Sequence, residues 1–149
     1  MCTVKLAACI FISLLCALGG LFAKPDAWYL ALIKPVGTPP NIVFGPVWTT
    51  LYILIGISAW ICLNKGIPRR VWGLYAAHWI FNTAWTPLFF GLHRLDISLL
   101  DILLLDAVVL TLVIQLWKYS RTSAYLLLPY MTWICYASYL NASFWFLNR

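Results

Sequence analysis

A chain of 149 residues with 64% hydrophobic and only 9% charged side chains makes one domain, and not a water-soluble one: a soluble globule carries roughly a quarter charged residues, and disorder needs the opposite composition. Mean hydropathy is +0.89, which points to lipid as the solvent. Ten Lys and Arg against four Asp and Glu give a net charge of +6, but the basic residues are dispersed, so no nucleic-acid partner is expected and they report orientation in a bilayer instead.

Charged residues and Pro/Gly clusters divide the chain into five apolar runs, at about 6–23, 42–63, 71–92, 97–117 and 124–147. Each is near the ~20 residues that cross a hydrocarbon core, and none alternates as a barrel strand would. The expectation is an all-α integral membrane protein, a five-transmembrane-helix bundle forming a single domain over 1–149. In the first run Cys2, Cys9 and Cys16 recur every seven residues on one face. Neighbours there stand about 10 Å apart, too far for a disulfide or a shared zinc, so the cysteines are read as packing residues. The run itself is read as a retained helix, not a cleaved signal.

The connection 24–41 is long and holds Pro25, Pro35, Pro39 and Pro40. A loop of that length in so small a bundle is functional or a linker, and Trp28, Tyr29, Leu30, Leu32 and Ile33 argue that it packs on something. In the third run Gly73 and Ala77 form a small-xxx-small pair, the expected seam of a homodimer. Further along, His78, Asn82 and Trp85 fall on one helical stripe, and Pro87 is expected to bend the helix beside it. The fourth run carries Asp101 and Asp106, which point about 140° apart and so form no catalytic pair. The last run offers Asn141, Ser143 and aromatics from Tyr130 to Trp145. One end of the bundle gathers Lys5, Lys65, Arg69, Arg70, Lys118 and Arg121, the other Lys24, Lys34, Arg94 and Arg149. That bias puts the N-terminus in the cytoplasm and the long loop outside.

Polar groups within a membrane are the best evidence for a site. Counted at 1.5 Å per residue from the long-loop end, Trp48, Trp85, Asn141 and Asp101 all lie about 6–10 Å deep. A lidded aromatic pocket suited to a large, flat, apolar ligand follows. Trp28, Trp72, Trp117 and Trp145 read as interfacial anchors. His78 reads as a hydrogen-bonding partner between helices, with axial haem ligation as the alternative. No nucleophile set, P-loop or metal-ligand spacing is present, so no metal and no required cofactor are expected.

Several segments resemble one family. Lys34-Pro35, Pro39-Pro40-Asn41, Phe44-Gly45-Pro46-Val47-Trp48 and Leu51-Tyr52 are similar to the first-loop and second-helix signature of the TspO/MBR family, the translocator or tryptophan-rich sensory proteins, also called peripheral-type benzodiazepine receptors. The run from Asn82 to Gly91, including Trp85, Phe89 and Phe90, resembles the third-helix signature. Pro129-Tyr130, Trp133, Ala137 and Leu140-Asn141 resemble the fifth helix, and Asp101 matches the fourth-helix Asp. The resemblance implies a usually homodimeric five-helix membrane bundle that binds porphyrins (protoporphyrin IX or haem), sterol-like molecules or benzodiazepine-type drugs, as sensor or transporter. It places the ligand site among Pro39, Pro40, Asn41, Gly45, Trp48, Tyr52, Asn82, Trp85, Phe89, Phe90, Asp101, Trp133, Ala137, Leu140 and Asn141. It also implies a second, enzyme-like reading, light-dependent porphyrin breakdown with Trp48 and Trp133 as the reacting side chains. The chain departs from the family at Gly37, where a loop Trp is usual, and at Asp106, where a small residue is usual. Ala142 and Phe146 replace a sterol motif, which disfavours cholesterol handling and favours a bacterial cell membrane over a mitochondrial outer membrane.

Overall fold

The computed structural model describes residues 2–18 and 25–149. Six α-helices carry them: α1 (Cys2–Leu14), α2 (Ala27–Ala31), α3 (Asn41–Lys65), α4 (Arg69–Thr86), α5 (Leu95–Tyr119) and α6 (Arg121–Leu147). Helix α1 tightens into a 3-10 turn over Leu15–Leu18, and the rest of the expected first span, 19–23, lies outside the described residues.

Local sequence explains where the long helices stop. Pro40 and Pro68 precede α3 and α4 with extended backbone, as a fixed φ at a helix start allows. Gly66 ends α3 in the left-handed conformation (φ 62°), and its N–H returns to the carbonyls of Cys62 and Leu63, a turn that costs a glycine no Cβ clash. Pro87 has no N–H to give the preceding turn, and the helix widens there into a π turn over Pro87–Gly91, closed by Leu92 N–H on the Pro87 carbonyl at 2.9 Å. The bend expected at Pro87 is this turn. Between α5 and α6 stands one residue, Ser120: its N–H caps α5 on Leu116, and its Oγ accepts from Ser123 N–H to start α6.

Helix α5 packs against both α4 and α6, α3 against α6, and α1 against α3. The interior is apolar, with Val71, Val109, Leu116, Ala124, Leu127 and Ile134 essentially sealed. Phe11, Ile80, Leu100, Leu103, Leu110 and Ile114 point outward, the inverse of a soluble surface and the face a bilayer requires. Gly56 is the closest approach: a Cβ built there would stand 2.5 Å from the Ile10 Cα, so α1 lies directly on the α3 backbone.

Helices α3 and α5 are long and apolar enough to cross a membrane, with mean hydropathy 1.8 and 2.6 over their most apolar windows, and Thr3–Ala17 is a shorter apolar helix. Helices α4 and α6 bring Trp, Tyr, His, Asn and Ser to their neighbours. Hydropathy scales rank the aromatic ones among such side chains as polar although their bodies are not.

Three expectations change. The connection 24–41 is not all loop: Asp26 caps the single-turn α2, its carboxylate accepting from Tyr29 N–H at 3.1 Å. Within it Tyr29 is buried and Trp28 and Leu32 are half-buried, but Leu30 and Ile33 stay exposed instead of packing. Among the cysteines, Cys16 and Cys62 are buried packing residues, whereas Cys135 faces outward.

Candidate ligand cavity

The long connection folds over one end of the bundle and is fastened by hydrogen bonds. Asn148 at the end of α6 pairs with the main chain of Ile33, Oδ1 accepting its N–H at 2.8 Å and Nδ2 donating to its carbonyl at 3.1 Å. Residues 35–38 make a tight turn, Thr38 N–H to Pro35 C=O at 3.2 Å, with Gly37 at φ 88°, the third-position conformation of a type II turn. That turn presents the Gly37 and Val36 carbonyls to Tyr136 and Tyr139, whose hydroxyls donate to them from α6. At the other edge, the Trp28 indole stacks on His93 at 4.1 Å, and His93 Nε2 lies 3.1 Å from the Asp26 carboxylate. The Asp26 carboxyl is held below its usual range, first by the Tyr29 N–H and then by His93.

Beneath this lid is a cavity lined by Tyr29, Thr38, Phe44, Trp85, Phe89, Phe90, Ala137, Leu140, Asn141 and Phe144. Counting its open mouth, the cavity holds about 370 Å³, and about 40 Å³ takes the centre of a water-sized sphere. The rings brace one another: Phe89 packs on Trp85 at 5.0 Å and on Phe90 at 4.7 Å, and Tyr29 packs on Phe90 at 5.1 Å and Phe144 at 5.7 Å. Polar groups are few and committed. Trp85 Nε1 donates to Asn141 Oδ1 at 2.9 Å, while Asn141 Nδ2 donates to the Leu95 carbonyl at 3.0 Å. One buried amide thus ties α4, the start of α5 and α6 together at the cavity wall.

Of the residues singled out in the sequence, Trp85, Phe89, Phe90, Ala137, Leu140 and Asn141 line this cavity. Trp48 and Trp133 stand edge-to-face at 6.3 Å in the layer behind it, joined to the wall through Phe44, which packs on Trp133 at 5.9 Å. Tyr52 and Asn82 lie deeper, buried and bonded to each other, Tyr52 Oη donating to Asn82 Oδ1 at 2.9 Å. Asp101 is buried off the wall, one carboxylate oxygen without a partner among the described residues. Pro39, Pro40, Asn41 and Gly45 stand at the entry to α3, where Asn41 and Gly45 are exposed. Asp106 makes its own contact elsewhere, accepting from Ser138 Oγ at 2.6 Å. Gly73 points outward with nothing within 4 Å of a built Cβ, and Ala77 is half-buried.

Sequence reasoning did not place Tyr29, Thr38, Phe44 or Phe144 on the wall. Phe144 belongs to the aromatic run of the last helix, three residues from Asn141 and on its face, which was the available signal. Thr38 comes from the lid turn and left none.

A polar chain crosses the bundle behind the aromatic layers. Tyr130, fully buried on α6, receives Asn82 Nδ2–H at 2.8 Å and lies 3.0 Å from His78 Nε2. Since Asn82 already donates to the phenol oxygen, the phenol proton is free for His78, so every member of Tyr52–Asn82–Tyr130–His78 is satisfied. His78 is therefore a hydrogen-bonding partner between helices, the first of its two readings, with Nε2 occupied.

The model of the TspO/MBR family matches residues 6–146. Similar proteins include Protein CrtK of Rhodobacter capsulatus, 38% identical over 98% of this chain and 94% of its own length. The Tryptophan-rich protein TspO of Archaeoglobus fulgidus is 39% identical over 97% of each chain. The human Translocator protein is 33% identical over 89% of this chain and 83% of its own length. With near full-length matches of this kind and the aromatic cavity under a Pro-rich lid, the chain belongs to the TspO/MBR family of membrane proteins.

Proposed function

We propose that this protein is a sensor or transporter that binds a large, flat, mostly apolar molecule, a porphyrin or other tetrapyrrole foremost, in the cavity beneath the lid. Sterol-like molecules and benzodiazepine-type drugs satisfy the same chemistry, and no cofactor is required. The carrying observation is that Tyr29, Phe44, Trp85, Phe89, Phe90 and Phe144, drawn from five parts of the chain, converge on one cavity whose remaining lining is Thr38, Ala137, Leu140 and Asn141. Stacking and apolar burial are the forces such a wall offers. The space in it that takes a water-sized sphere, about 40 Å³, is far below the roughly 300–1,000 Å³ of ordinary ligand sites, so binding requires the lid or the wall side chains to move.

Titration with protoporphyrin IX, read by tryptophan fluorescence, tests this. Saturable quenching that is lost in Trp85→Ala supports the site; quenching that never saturates overturns it. A second reading, light-dependent porphyrin breakdown, is favoured by the Trp48–Trp133 pair one layer behind the wall. Aerobic illumination of the complex gives a new absorbing product under that reading, and Trp48→Phe abolishes it. The assembly we favour is a homodimer seamed along Gly73 and Ala77, with the N-terminus in the cytoplasm of a bacterial cell and the lid outside.

A further inference from the structure

The end of the bundle opposite the lid has no charge partner of its own. Lys5, Lys65, Arg69, Arg70, Lys118 and Arg121 gather there, all exposed. Of the four acids, Asp26 and Asp96 sit at the lid end, where they pair with His93 and Arg94, and Asp101 and Asp106 lie within α5. Both ion pairs among the described residues thus belong to the lid end. Six cations face solvent or headgroups without an anion.

One of them is held in place. Arg70, in the first turn of α4, donates through Nη2 to the Tyr119 hydroxyl at the last residue of α5, and its guanidinium lies 5.7 Å from the Tyr119 ring centre. A guanidinium fixed in this way keeps its other N–H groups aimed as a fork, the geometry that matches a phosphate. Lys118 and Arg121 flank Tyr119 in sequence, and Arg69 precedes Arg70. Below this cluster the surface turns apolar: Leu110 and Ile114 are exposed, and Trp117, 41% exposed, packs on Tyr125 at 4.9 Å. An exposed indole at a helix end marks the interfacial level of a bilayer.

We propose that this end holds the phosphate of an anionic phospholipid, with Arg70 as the fork, Lys118 and Arg121 as neighbouring charges, and the Ile114–Trp117 surface against the acyl chain. A free phosphate would use the cations but not the apolar collar, and a zwitterionic lipid carries its own neutralising charge. The lipid is bound independently of whatever occupies the cavity under the lid.

The test is thermal unfolding of delipidated protein in mild detergent, titrated with phosphatidylglycerol, phosphatidylcholine or inorganic phosphate. Phosphatidylglycerol should raise the unfolding temperature saturably, and the other two should not. Each cation near an anionic headgroup is worth about fivefold in affinity. Arg70→Gln and Arg121→Gln should each raise the half-saturating concentration by about that factor. Arg70→Lys, which keeps the charge but not the fork, should still bind more weakly than the parent. Lys34→Gln at the lid end should match the parent, and lipid-free helix content shows that each variant is folded. Should Arg70→Gln misfold, Tyr119→Phe, which only releases the fork, should still weaken binding. Equal stabilisation by phosphatidylcholine or by phosphate overturns the proposal. So does parental binding by Arg70→Gln or Arg70→Lys.

Discussion

Asn141 shows how one side chain serves both stability and the site. It is 1% exposed and spends its oxygen on Trp85 and its amide on the Leu95 carbonyl. Asn141→Leu strands the half-buried Trp85 Nε1–H and takes one donor from the Leu95 carbonyl, which keeps Ser98 Oγ, at about 1–3 kcal/mol for the stranded indole. Detergent-solubilised Asn141→Leu should therefore unfold at a clearly lower temperature than the parent and bind protoporphyrin more weakly. Phe144→Ala removes wall area together with the packing of Tyr29 and Phe89 on that ring, so it should weaken binding by about tenfold and lower the unfolding temperature as well. Asn82 is a different case. Both ends of its amide are engaged by tyrosines, so Asn82→Leu should cost stability before it costs affinity, and a melting curve with a parallel titration separates the two. The sequence made Trp85 and Asn141 legible, because polar and aromatic residues at matched depth have few reasons to be there, and the family resemblance added the Phe89-Phe90 pair. It could not separate the wall from the layer behind it. Trp48 matches Trp85 in depth and differs in which way its helix is turned, and rotation about a helix axis depends on packing from all sides.

At the scale of elements, α1 against α3 and the lid against α6 are the two fits with least tolerance. Gly56→Ala drives a methyl into the Ile10 backbone, which unlike a side-chain tip has no rotamer to yield. We expect α1 to be pushed off α3 and the protein destabilised by about 1–3 kcal/mol, measured by thermal unfolding; the same change at Gly73, where space is open, should be neutral for folding. The lid has its own dependence on pH. Because the Asp26 carboxyl is held below its usual range in the folded lid, its contribution is fully present above the ordinary carboxylate pKa and is lost as pH falls through the depressed value. Hydrogen exchange of residues 25–33 should accelerate on acidification below about pH 4, and Asp26→Asn should remove that dependence. The helix spans were readable from apolar runs and prolines. Helix α2 was not, since a single turn fixed by one capping carboxylate leaves no periodicity to count.

For the whole molecule, the outward apolar belt and the charge imbalance between its ends were present in the composition, while the pairing that makes the imbalance sharper came only with the structure. Association is the remaining question at this scale. If the Gly73–Ala77 surface seams a dimer, Ala77→Leu should shift solubilised protein toward monomer in light scattering, and an unchanged mass moves the seam elsewhere.

Beyond α2, the second half of the lid is fastened through its main chain: the carbonyls of Ile33, Val36 and Gly37 and the N–H of Ile33 are what Asn148, Tyr139 and Tyr136 hold. Every residue type offers those same groups. For residues 33–37 the anchoring code is therefore written on α6 and the residue that follows it, and their side chains are released from it, apart from the glycine that the turn at 37 demands. Ligand preference can diversify by exchanging loop residues one at a time, as with a removable label on a fixed hinge, without each change having to rediscover how the cover closes.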